Sequence, residues 1–262
     1  MIICTLVSGS SGNSTYVSDG TTSVLVDAGV PGKRIEEELA DIGADPHGLG
    51  GVFVTHEHID HVAGVGVMAR RYGIPVVANY RTMCSLKYYK KVDKIPPERL
   101  IVFENDEDFQ FGTLTVHPFS IPHDAADPVG YRFTSGGVSV AVSTDIGNIT
   151  DKVRNGVLGC KAVVLEANHD VGMLKTGPYP YELKKRILGD RGHLSNEISA
   201  AFARELAENG TKTVILGHLS SENNTPELAL STVKQGLSEG NPLSCCEVIL
   251  APRYSHGKVI VC

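Results

Sequence analysis

The chain has 262 residues, 42% of them hydrophobic and 21% charged, with a net charge of −6. That composition is ordinary for a globular protein and long enough for one substantial core, so residues 1–262 are read as a single domain. No apolar run reaches the ~18 residues a membrane span needs, and the acidic balance argues against broad, non-specific nucleic-acid binding while leaving room for a local basic patch.

The apolar start, Met1 to Val7, lacks a basic lead and is too short for a secretory signal; it reads as a first strand. Further strand-like runs follow at 14–18, 22–26, 52–54, 76–78, 113–117, 129–133, 138–142, 162–165, 213–216, 246–250 and 258–261. Helix-like runs fall at 33–42, 80–91, 178–188, 196–208 and 226–238, and 62–71 can be helical although Gly64 and Gly66 weaken it. The clearest helix is 196–208, with Ser195 as N-cap, four alanines inside, and Asn209-Gly210 as a stop. The first three strands lie close enough together for an antiparallel meander, and later strands alternate with helices. The expected class is α/β, with two mixed sheets sandwiched between helices. Six cysteines (Cys4, Cys84, Cys160, Cys245, Cys246, Cys262) include no C-x-x-C pair and are expected to be reduced thiols, which predicts a cytoplasmic location.

The most informative segment is His56-Glu57-His58-Ile59-Asp60-His61: three imidazoles and a carboxylate in six positions, just after the short apolar stretch Gly51 to Thr55. Such nitrogen and oxygen donors suit zinc, manganese or iron. Side chains placed just past a strand end are where open α/β sheets build their sites. Four other places repeat the placement. Asp27 follows the run Val24 to Val26, and His123 precedes the strand at 129–133. Asp145 follows the strand ending at Ser143, and His218 follows Val214 to Gly217. One such residue is usually a turn; several in a chain that already carries H-x-H-x-D-H point to a metal centre.

In this order, Asp27, the Thr55–His61 run, His123, Asp145 and His218 resemble the motifs of the metallo-β-lactamase fold superfamily, over the length of the chain. The resemblance implies an αββα four-layer sandwich with two divalent metal ions at one edge of the sheets. It implies that His56, His58 and His123 hold one ion, that Asp60, His61 and His218 hold the other, that Asp145 bridges them, and that Asp27 orients ligands. The segments Thr5 to Ser14, Pro122-His123-Asp124-Ala125, Leu165 to Asp170, Gly192 to Asn196, Leu216 to Ser220 and Glu222 to Glu227 resemble the YycJ/WalJ family of bacterial proteins, related to the RNase Z and PhnP phosphodiesterases. That likeness implies 5′→3′ exonuclease activity on DNA, an extra catalytic His at His193 and its carboxylate partner at Glu166.

A metal pair roughly 3.5–4 Å apart would activate a water for in-line attack on phosphorus. Asp60 can accept a hydrogen bond from that nucleophile, and His193 held by Glu166 can protonate the leaving oxygen. The bland alternative for His193 is a residue before a helix, bonded to backbone. For substrate contacts, Ser8 to Ser14, with Ser11 and Asn13, could offer backbone N–H groups to a phosphate or be an ordinary hairpin turn. His169 could reach the site or sit in a turn. Lys87, Lys90, Lys91 and Lys94, interleaved with Tyr80, Tyr88 and Tyr89, could hold nucleic acid or line a solvated helix. A second basic cluster, Lys184, Lys185, Arg186 and Arg191, leads into His193. The expected partner is DNA and no membrane. The alternatives are a small-molecule hydrolase of the same fold, acting on a cyclic phosphodiester, thioester or lactam, and a non-enzymatic metal-binding protein.

Overall fold

The computed structural model describes residues 1–86, 94–239 and 246–262. In chain order its strands are β1 Ile2–Val7, β2 Ser14–Ser18, β3 Ser23–Val26, β4 Leu49–Phe53, β5 Val76–Asn79, β6 Leu100–Phe103, β7 Phe109–Phe111, β8 Leu114–Ser120, β9 Val129–Ser135, β10 Val138–Ser143, β11 Ala162–Glu166, β12 Thr213–Gly217, β13 Glu247–Leu250 and β14 Ile260–Val261. Its α-helices are α1 Gly32–Asp41, α2 Ile59–Val62, α3 Val65–Tyr72, α4 Tyr80–Leu86, α5 Asp151–Val157, α6 Val171–Thr176, α7 Tyr181–Ile187, α8 Asn196–Glu208 and α9 Pro226–Ser238.

The strands form two seven-stranded sheets, ordered β14-β1-β2-β3-β4-β5-β6 and β13-β12-β11-β10-β9-β8-β7. Each sheet is half antiparallel and half parallel. The meander β1-β2-β3 is antiparallel, as expected, and β3 to β6 run parallel. In the second sheet β7 to β10 are antiparallel and β10 to β13 parallel.

Period-two alternation builds the layers. In β3, Val24 and Val26 face the other sheet while Leu25 faces helices; in β11, Ala162 and Val164 point between the sheets while Val163 and Leu165 point out. Three buried clusters result. One lies between the sheets around Phe53, Tyr131 and Phe133. A second lies under Ile35, Leu39 and Met68 of α1 and α3, and a third under Val153, Phe202 and Val233 of α5, α8 and α9. Helices outside two sheets make the αββα sandwich. Cys4, Cys84, Cys160, Cys246 and Cys262 are free thiols.

Some elements differ from the sequence reading. The helix expected at 178–188 is confined to Tyr181–Ile187, because Pro180, at φ −57° and ψ 149°, stands outside it as the N-cap residue. The helix expected at 80–91 is seen as Tyr80–Leu86; its remainder, with Lys87, Lys90 and Lys91, lies outside the described residues. The helix over 62–71 begins at Val65 instead, after Gly64, and ends at Gly73 in the left-handed conformation, φ +66°.

Candidate metal centre

The site forms where the carboxyl ends of parallel strands from both sheets meet. Asp27 follows β3, Thr55 to His61 follow β4, Asp145 follows β10, Glu166 ends β11 and His218 follows β12. Asp27, Asp145 and His218 all take left-handed backbone, at φ +61°, +58° and +56°. Asp, Asn and His tolerate that region better than other side-chain-bearing residues, and its strain is typical of functional sites. Here it turns each side chain off its strand into the space between the sheet ends. Close backbone approach completes the floor: a Cβ on Gly29 would lie 1.6 Å from the Asp60 carbonyl oxygen, and one on Gly147 would lie 2.3 Å from that of Asp190.

Most of the imidazoles are oriented the same way, by spending Nδ1 on the protein. His61 Nδ1 lies 2.7 Å from Asp27 Oδ2, whose carboxylate also accepts from Thr55 N and Thr55 Oγ1, each at 2.8 Å. His56 Nδ1 donates to Thr55 Oγ1 at 3.0 Å, His123 Nδ1 to the Gly192 carbonyl at 3.1 Å, and His218 Nδ1 to Glu166 Oε1 at 2.8 Å. Nε2 of each ring is thereby left for the centre. The Nε2 atoms of His56 and His218 and Asp145 Oδ2 are buried with no hydrogen-bond partner. Buried lone pairs left unpaired are costly in an apo protein, and a divalent cation satisfies them. The donor set fits divalent metal.

The donor atoms fall into overlapping groups, each within 4.8 Å: His56, His58 and His123; Asp60, His61 and His218; His56, His61 and Asp145; and Asp145, Glu166, His193 and His218. Asp60 Oδ2 is 3.5 Å from Nε2 of both His61 and His218. Asp145 spans the first two groups, with Oδ2 3.2 Å from His61 Nε2 and Oδ1 3.7 Å from His123 Nε2 and 3.5 Å from His218 Nε2.

Charge is divided across the centre. Burial, then the neighbouring His61, drives His56 well below the usual imidazole range, and burial lowers His123, so both are neutral with a lone pair to give. Burial opposes the charge on Asp145 too, but His218 and His61 hold its carboxyl well below the usual range. For Glu166, fully buried, desolvation is outweighed by His193 and His218, which bring it to about 2. Burial works against protonated His193 and His218 in turn. Glu166 raises His193, and Asp145, with Asp60 and Glu166, raises His218 to about 10.

A family model for the β-lactamase superfamily domain matches residues 22–219. Exodeoxyribonuclease WalJ of Streptococcus pneumoniae serotype 2 is 41% identical over 236 residues, 90% of this chain and 88% of that protein. The chain belongs to the metallo-β-lactamase fold superfamily, in its WalJ/YycJ family. Exodeoxyribonuclease YycJ of Bacillus anthracis is 39% identical over 234 residues, covering 89% of this chain and 88% of its own. In fold, the metallo-β-lactamase fold protein YhfI from Bacillus subtilis superposes with a TM-score of 0.72 at 16% identity, over 98% of this chain and 100% of that one.

In this WalJ/YycJ-family chain, several residues of the motif-like segments serve the scaffold. Ser195, Thr225 and Asp170 cap α8, α9 and α6 through Ile198 N, Leu228 N and Met173 N. Asn224 donates to the Ala167 and Asn168 carbonyls, and Asn168 donates to the His218 carbonyl at 2.9 Å, holding the β12 turn to the β11 turn. Asn13 is buried beneath the centre. Its Nδ2 lies 3.4 Å from Asp60 Oδ2 and 3.2 Å from His61 Nε2, while its Oδ1 accepts from Gly9 N. Ser11 is exposed, and it is Ser10 that lines the pocket over the metal centre. His169 is buried with neither ring nitrogen partnered and falls outside the four donor groups.

That pocket, about 260 Å³, is walled by His58, Asp60, His123, His193 and His218 on the centre's side and by Tyr179, Leu183, Arg186 and Ile187 from α7 and the turn before it. Sequence reasoning placed Arg186 in a basic cluster but missed this wall. Arg186 is paired with Asp124, and Asp124 Oδ1 lies 3.3 Å from His123 Nε2. Arg191 donates from Nε and Nη2 to the His123 carbonyl at 3.0 and 2.7 Å, fixing that loop.

Proposed function

We propose that this chain is a metal-dependent phosphodiesterase that removes nucleotides from a DNA 5′ end, in a single cytoplasmic domain. The observation that carries the reading is His193 Nδ1 at 2.8 Å from Glu166 Oε1, beside two groups of metal donors. Binding metal requires no such pair, whereas expelling a sugar oxygen from phosphorus needs a positioned acid. The names of the WalJ and YycJ relatives, both exodeoxyribonucleases, support the DNA substrate. Among the described residues no helix is long and apolar enough to cross a membrane.

His56, His58 and His123 would hold one divalent ion and Asp60, His61 and His218 a second, with Asp145 between them and Asp27 fixing the orientation of His61. Such a pair, as zinc, manganese or iron, supplies an activated water and neutralises phosphate charge. The protein's own groups do the rest. Asp60 can also accept a hydrogen bond from the attacking water and aim it. Glu166 stabilises the imidazolium of His193, whose Nε2 proton passes to the leaving oxygen. Arg186 at the pocket wall can take a non-bridging phosphate oxygen.

The test is a substrate panel with each metal in turn: 5′-phosphorylated duplex and single-stranded DNA, RNA, a cyclic nucleotide and a chromogenic lactam. Shortening of duplex DNA from its 5′ end is expected. Rapid lactam hydrolysis with DNA untouched would overturn the phosphodiesterase reading.

A further inference from the structure

Beside the metal-centre pocket opens a larger cavity of about 460 Å³. The two share Ser220, and the β1 turn contributes Ser8 to one and Ser10 to the other. The larger cavity is walled by apolar Leu219, Leu250, Ala251 and Pro252, with Arg253 and Tyr254 at its rim. Its size is within the roughly 300–1,000 Å³ range of small-ligand sites.

Arg253 stands on the ridge between the two spaces. Its Nη2 donates to the Leu219 carbonyl at 2.7 Å, and its Nη1 is 3.5 Å from Ser10 Oγ, on the metal side. The loop that carries it is anchored throughout: Ala251 N donates to the Leu216 carbonyl, Ser8 N to the Pro252 carbonyl and His256 N to Glu38 Oε2, while Arg34 holds the Tyr254 carbonyl. The backbone is thus held while Tyr254 stays 74% exposed. A preformed apolar slot with an aromatic rim, reached from a phosphate-handling centre across a guanidinium, matches one kind of occupant: a nucleoside whose phosphate lies at the centre.

We propose that this cavity is a nucleoside subsite, taking the base of one of the two nucleotides that flank the scissile phosphate. This rests on the nuclease reading above. Its consequence is that a base next to the scissile phosphate is gripped while that phosphodiester is cut, so cleavage depends on a base that no metal donor touches.

The experiment uses 5′-phosphorylated duplexes with either natural nucleotides or a tetrahydrofuran abasic residue at the first or the second position from the 5′ end. Wild type, Tyr254→Ala and Ser221→Trp are compared, with metal content measured for each; Ser221 is an exposed lining residue, so tryptophan there plugs the cavity from outside. In the wild type, kcat/KM should drop about 5- to 100-fold for the abasic residue at one of the two positions, the range of a lost base stack. Both variants should cut the natural duplex more slowly and lose most of that discrimination at unchanged metal content. Equal cleavage of natural and abasic ends by the wild type would overturn the subsite while leaving the nuclease reading intact, as would full discrimination in both variants. Failure of the wild type to cut any duplex would overturn the nuclease reading itself, and the subsite with it.

Discussion

His193 and His218 share one acceptor: the Nδ1 atoms of both rings lie 2.8 Å from Glu166 Oε1. The other oxygen, Oε2, accepts from Ile146 N at 2.7 Å and Leu194 N at 3.2 Å. One buried carboxylate therefore orients both a candidate metal donor and the candidate acid, and couples the two roles.

Glu166→Gln should damage both. The backbone N–H groups at Oε2 require an acceptor there, so the amide nitrogen of glutamine is forced toward two Nδ1–H donors, and at least one ring must turn or change tautomer. Affinity for the metal held by His218 should fall about 10- to 100-fold, as for loss of a group that orients a ligand. Competition with a chelator of known affinity measures it. Unchanged affinity would remove His218 from the metal set.

His193→Ala separates chemistry from binding. The variant should retain about two metals per chain and lose about 10²- to 10⁴-fold in kcat on DNA. On bis(p-nitrophenyl) phosphate, whose leaving group needs little protonation, the loss should be far smaller. Equal losses on both substrates would exclude a proton-donor role, and loss of metal would make His193 a ligand.

Asp145 concerns the metals themselves. A chelator should lower Tm, because ions that bind only the folded chain stabilise it by mass action, about 4 kcal/mol per site at a thousand times Kd. The metal-induced shift should shrink in Asp145→Ala, where the charge spanning the donor groups is gone. Acid should weaken metal binding, since protons compete for the imidazole lone pairs. Calorimetric scans with and without added zinc or manganese read all three effects.

Acid sensitivity of a different origin is predicted at Asp19, far from the metals. Its Oδ1 accepts from Thr21 N and Thr22 N in the β2–β3 turn, and its Oδ2 from Thr113 Oγ1 at 2.6 Å and Ser135 Oγ at 2.9 Å on the other sheet. Partial burial opposes the charge, but those donors pull its carboxyl below the ordinary 3.8. A depressed folded-state pKa means stabilisation present above 3.8 and lost as pH falls below it. The Tm difference between wild type and Asp19→Asn in metal-free protein should be full near neutrality and shrink under stronger acid. A difference independent of pH would show that the charge on Asp19 contributes nothing.

What could be read from the sequence follows how local each signal is. Ser195, the alanines of α8 and the stop at Asn209-Gly210 are neighbours in sequence, and that helix runs as expected from Asn196 to Glu208. The strands bearing Asp27, His56, Asp145 and His218 were legible from short β-branched runs. Their left-handed turns were not, because Asp and His at a strand end carry no mark of φ. Strands β6 and β7 escaped notice: one is a four-residue strand with Ile101 and Val102 exposed, the other has three residues. Helices α5 and α6 are seven and six residues long, each with an internal glycine, and are held by their caps and by packing more than by propensity. The wall of Tyr179, Leu183, Arg186 and Ile187 is more than fifty residues from His123 along the chain, and only the tertiary fold brings the two to one pocket.

Each of the two triads proposed to hold an ion takes two donors from the segment after β4, in the first sheet, and one from the second sheet's loops: His123 in one case, His218 in the other. An ion bound there is a rivet through both halves of the sandwich, and its affinity becomes a gauge of how the halves sit. Trimming a ring from the Phe53–Tyr131–Phe133 cluster between the sheets would alter no donor, yet it would be felt at the metals. Tyr131, whose hydroxyl donates across the gap to the Val54 carbonyl at 2.7 Å, sets that spacing directly beneath the histidines.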